Sequence, residues 1–93
     1  MKQSPPPDAG DAALALTALT WILSDEPRAE RFLGLTGLTP DALRGVLTQR
    51  ETQAAILSFL TANENDLVSC AEAIDSDPAA LAAAAARLDG SPY

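Results

Sequence analysis

Arg31-Phe32-Leu33-Gly34-Leu35-Thr36-Gly37-Leu38-Thr39-Pro40-Asp41-Ala42-Leu43 carries a helix stop and a helix start almost back to back. Gly37 stands where a left-handed residue ends a helix, because glycine has no Cβ to clash there. Leu38 follows it and is expected to pack back on Leu33. Thr39 can cap the next helix through its hydroxyl, and Pro40 fits the first turn, where its missing N–H costs nothing. Asp41 then favours the positive helix end. The stretch therefore predicts a short helix from about Pro27 to Thr36, burying Phe32, Leu33 and Leu35. A second helix, over about 40–47, buries Leu43 with Val46 and Leu47.

The same signals recur downstream. Thr48 and Glu51 match the Thr-x-x-Glu capping box and predict a helix over about 49–62. Its inner face is Ile56, Leu57, Phe59 and Leu60. Asn63 caps the next helix, with Leu67, Cys70, Ala71 and Ile74 inside. Asp77-Pro78 opens the last one, which buries Leu81, Ala84, Ala85 and Leu88 before Gly90 stops it. Thr39-Pro40-Asp41-Ala42-Leu43 and Asp77-Pro78-Ala79-Ala80-Leu81 resemble each other as good helix starts.

Upstream, Ala12, Ala15, Leu16, Leu19, Ile22 and Leu23 recur at helical spacing. Leu14, Ala18 and Trp21 form a second apolar stripe beside them. This predicts a helix over about 11–24, capped by Asp8 or Asp11 and central in the fold because it is apolar on so much of its circumference. Pro5, Pro6 and Pro7 predict a disordered tail over residues 1–10. The remaining organisation is one all-α domain over 11–90 and a short tail over 91–93. No segment alternates with period two. The fold class is all-α: a compact bundle of five to six short helices with no β-sheet.

Composition narrows the function. The chain of 93 residues has no His and one Cys. Without His, a Ser-His-Asp triad, a Cys-His dyad and a mixed zinc site are all missing. The one Lys, Lys2, lies in the Pro-rich tail, and the Gly residues are too scattered for a phosphate loop. No catalytic, cofactor-binding or metal-binding residue is assigned, no cofactor is expected, and the chain reads as a non-enzyme. Asn63-Glu64-Asn65-Asp66 lacks calcium-loop spacing. Asp75-Ser76-Asp77-Pro78 lacks the Asp-Ser-Leu that acyl carrier proteins need.

The net charge of −7 argues against nucleic acid, whose phosphates need cations. That charge is uneven. Residues 1–25 carry −2, residues 26–62 are neutral, and residues 63–93 carry −5. The run Ala12 to Ser24 is too short to span a bilayer, and Met1 to Asp11 has no apolar leader, so no membrane association is expected. A cytoplasmic location follows, in agreement with one unpaired Cys.

Cys70 reads as a small buried hydrophobe. Trp21 sits on the second stripe of the first helix and would anchor an interface if left uncovered. Arg28, Arg31 and Arg44 flank that region as the main basic cluster. These four are the candidate interaction residues.

Three blocks resemble one small bacterial family in their order. They are Arg31 to Pro40, Ile56-Leu57-Ser58-Phe59-Leu60 followed by Asn63-Glu64, and Asp77-Pro78-Ala79-Ala80-Leu81. The family is the domain of unknown function DUF 3572, found as short stand-alone proteins. The resemblance covers about residues 11–90. It implies a compact all-α domain in a bacterial cytoplasm and carries no known activity, so no functional residue comes with it. The expected role is a non-catalytic protein–protein interaction or adaptor module, with an unknown protein partner or with itself as a homodimer. The competing expectation is a small-molecule or lipid-tail binder using an apolar cavity in the bundle.

Overall fold

The computed structural model describes residues 7–89, with side chains from residue 10 onward. Six helices follow one another: α1 (Pro7–Leu23), α2 (Glu26–Thr36), α3 (Pro40–Gly45), α4 (Arg50–Thr61), α5 (Glu64–Ala73) and α6 (Pro78–Leu88). Among the described residues there is no strand. The expected all-α bundle is the fold.

The caps explain most boundaries. Asp25, Thr39, Asn63 and Asp77 all hold extended backbone and accept an N–H from the first turn of their helix. Gly37 takes φ 73° and donates its N–H to Leu33 O at 2.9 Å. Leu33 and Leu38 are both partly buried against the core.

Five local expectations are corrected. Helix α1 starts at Pro7, so residues 7–10 are helical rather than tail. Proline is tolerated in a first turn. The rest of the expected tails, residues 1–6 and 91–93, and the stop at Gly90 lie outside the described residues. Asp11 is not a cap but lies inside α1, 5% exposed. The Thr48 capping box does not form: Gln49 is the N-cap of α4, without a side-chain bond. Gln49 donates its N–H to Val46 O at 3.0 Å, which holds 46–49 as a turn and moves the helix start one residue on. Helix α3 likewise ends at Gly45, with Val46 as its cap.

The fifth correction is Leu35, expected inside and 74% exposed. Helix α2 turns Arg28, Ala29, Phe32, Leu33 and Thr36 toward the protein, and its neighbours do not reach around to Leu35.

Helices α1, α4 and α6 pack most extensively on one another and form the centre. Ala15, Ala18 and Ile22 of α1 meet Ile56, Leu57 and Leu60 of α4 and Leu81 and Ala84 of α6 in one cluster, all fully buried. Alanines at 15, 18 and 84 leave little bulk between helix axes, which suits a core with few aromatics. Phe32 meets Phe59 edge-on, with ring centres 5.4 Å apart. Two polar clasps close the bundle. Arg87 on α6 donates to both oxygens of Asp11 on α1, each at 2.8 Å. Arg50 at the start of α4 donates to the Leu88 and Arg87 carbonyls at the end of α6, at 3.1 and 2.7 Å.

Candidate functional site

The candidate interaction residues are placed by α1, α2 and α3. Trp21 is half-buried against the core near the end of α1. The Arg28 guanidinium covers its ring 3.5 Å from the ring centre, a close cation–π stack. Arg28 also donates to Trp21 O at 2.6 Å and to Ser24 Oγ at 3.1 Å. A cation thus satisfies the Trp21 carbonyl in the last turn of α1, where the helix dipole is negative. Its Nε is buried with no hydrogen-bond partner.

Arg31 points elsewhere. It pairs with Asp66 of α5 and lies 5.0 Å from the Phe59 ring centre. Arg44 is on α3, exposed, and pairs with Asp41 at 2.9 Å. The structure therefore brings Trp21 and Arg28 together, sets Arg31 on another side of α2, and leaves Arg44 apart. Trp21, Arg28 and Arg31 are occupied within the chain.

Titratable groups offer little chemistry. Cys70 is fully buried, and loss of hydration pushes its thiol up to about 11. A thiolate nucleophile needs the opposite shift. The Asp11 carboxyl is held below its ordinary value, chiefly by the hydrogen bonds from Arg87. Both groups belong to the structure of the bundle. Among the described residues no group of three or more His, Cys, Asp or Glu is placed to hold a metal. No described helix is long and apolar enough to cross a membrane.

The surface feature that stands out lies along the outer side of α4. One hollow of about 280 Å³ runs between the end of α2 and α4, lined by Phe32, Leu35, Leu38, Glu51 and Ala55 among others. A second, of about 510 Å³, lies between α4 and the end of α6, against Ala54, Ser58, Leu88 and Asp89. Both are open troughs, and they share Glu51 and Ala55. Ala55 presents only a methyl on the wall between them, and the exposed Glu51 side chain stands beside it. A smaller apolar hollow of about 160 Å³ lies across α2, lined by Leu19, Leu23, Leu33, Leu43 and Leu47 with Pro40 and Arg44.

Sequence reading missed this face because it placed Leu35 inside. Leu35 stands three residues after Phe32, about 60° from it around the helix, while the inward Leu33 is about 100° away, so turn counting alone does not carry Leu35 outside.

The described residues define a small all-helical domain of six helices. The chain belongs to the family described as Protein of unknown function (DUF3572), whose model matches residues 9–91. No curated protein and no solved structure matches it.

Proposed function

We propose that the chain is a non-catalytic protein–protein interaction module. The observation that carries this reading is Leu35. It is 74% exposed, and it borders an open trough with Leu38 and Phe32 on its wall. Isolated surface leucines are ordinary, but a leucine standing beside a hollow of its own size class offers both a knob and a hole. The setting that goes with this reading is a bacterial cytoplasm. The unpaired thiol of Cys70 agrees with a reducing compartment. The charge of −7 speaks against nucleic acid as the partner.

The lipid-tail or small-molecule reading has less behind it. The apolar hollow lined by Leu19, Leu33 and Leu43 holds about 160 Å³, short of the roughly 300 Å³ that ligand pockets start from. The larger hollows are open troughs rather than cavities.

Affinity capture with the tagged full chain, followed by mass spectrometry, tests the module reading. The expected result is stoichiometric recovery of another protein, or of untagged chain, that is lost on Leu35→Asp substitution. Recovery of neither, together with a monomer at every concentration, overturns it.

A further inference from the structure

We propose that residues 25–49 form a hinged flap, α2 and α3 together, that opens as a unit from a four-helix centre and uncovers Phe59 and Leu19 beneath it.

The layout of the chain sets this up. Every pair among α1, α4, α5 and α6 is in contact, so these four pack as one body. Residues 25–49 leave that body after α1 and return to it at α4. Of these residues only Phe32 and Leu43 are buried. Helix α4, half as long as that stretch, buries seven residues. Helix α3 makes no extended contact with any other helix. Opening costs most where most apolar surface is covered, so the outer stretch is the part that comes away first.

Both seams of the stretch are loosely filled. Against α1 lies the hollow of about 160 Å³, with Leu19 and Leu23 on one wall and Leu33, Leu43 and Leu47 on the other. Against α4 lies the trough of about 280 Å³, with Leu35 and Leu38 on one wall and Glu51 and Ala55 on the other. Side chains that face a gap forfeit the contacts that would hold the seam. Arg28 Nε is buried without a partner where α2 meets α1, and opening returns it to water.

The ends of the stretch, Asp25 and Gln49, are extended residues about which it can pivot. Arg28 bonds to Trp21 O and Ser24 Oγ beside one pivot. Gln53 Nε2 donates to Leu47 O at 3.0 Å beside the other. Farther out, the stretch is tied by the Phe32–Phe59 ring pair and by Arg31 to Asp66, a partly exposed ion pair of the kind that contributes little. Closed, the flap covers Phe59 and Leu19. Open, it presents both, so the display of apolar surface becomes a switchable property of the bundle.

Native-state hydrogen exchange of the full chain in rising, sub-denaturing urea tests the proposal. The helical amides of Ala29, Phe32 and Leu33 should exchange together, about tenfold or more faster than the slowest amides of α4 and α6. Their urea dependence should be smaller, because the flap exposes less surface than the whole chain. Leu81→Ala sharpens the contrast. Leu81 is fully buried on α6, against which α2 and α3 do not pack extensively. Its truncation weakens the closed and open states of the flap alike. Exchange in α6 should therefore rise about tenfold or more while exchange in α2 stays within about twofold. Ala84→Gly reads the same centre if Leu81→Ala unfolds the bundle. Equal urea dependence in α2 and α6, with both accelerated alike by the α6 variants, overturns the proposal, since the chain then opens only as a whole. Amides of α2 that exchange one by one without urea dependence overturn it too, since no unit opens.

Discussion

Helices α2 and α4 have almost the same length, 11 and 12 residues, and do opposite work. Helix α4 buries Thr52, Gln53, Ala54, Ile56, Leu57, Phe59 and Leu60. Helix α2 buries Phe32 alone. Helix α4 is wedged among α1, α5 and α6 and leaves its Glu51, Ala55 and Ser58 side open. Helix α2 lies on the outside and touches the centre along one strip. What separates them is position in the packing: the first is a beam of the fold, the second a surface resting on it.

Substitutions on the two helices should therefore part company. The largest effect is expected for Leu57→Ala on α4, fully buried, at about 2–5 kcal/mol of unfolding free energy. Urea unfolding followed by circular dichroism measures it, and a loss below about 1 kcal/mol would break the contrast. Next comes the end of α2. Gly37 holds φ 73°, where a β-branched residue is strained, so Gly37→Val should cost roughly 1–2 kcal/mol by the same measurement. The smallest effect is Leu35→Ala. It should move stability by less than about 0.5 kcal/mol, because the side chain is exposed, and yet weaken capture of a protein partner.

Acid probes the clasp that holds α1 to α6. Arg87 keeps the folded Asp11 carboxyl below its ordinary value of 3.8. A depressed folded value means that the unfolded chain takes up the proton first. The stabilisation is complete above the ordinary value and drains away as pH falls through the depressed one. Unfolding free energy measured from about pH 6 to about pH 2 should fall with acid, and fall less steeply in Asp11→Asn. Equal slopes would show that the clasp contributes nothing.

Most helix starts were legible, because a cap is a bond within three residues of its own position. Thr39, Asn63 and Asp77 needed only their neighbours to be read. Gly37 was legible for the same reason. Its counterpart after α5 was not. Asp75 takes φ 59°, and Ser76 donates its N–H back to Ala71 O at 2.7 Å, a six-residue closure of the helix end. No glycine marks it, since aspartate is among the few residues that tolerate this conformation. Asp11 was read as a cap because its partner lies 76 residues away, beyond any local pattern. The apolar face of α4 could be read as core, since every large side chain on it finds cover. Leu35 could not, because spacing tells which residues share a side of α2 and not how far the neighbours reach around it.

Cys70 lies fully covered at the inner face of α5, its thiol pushed up to about 11. The domain thereby contains its own stopwatch. An alkylating reagent reaches this sulfur only when α5 lifts or the whole bundle opens. Since the chain has one cysteine, every labelled molecule records exposure of this one sulfur. The rate of labelling, divided by the rate for an unfolded thiol at the same pH, gives the fraction of time Cys70 stands uncovered, with no dye or engineered probe.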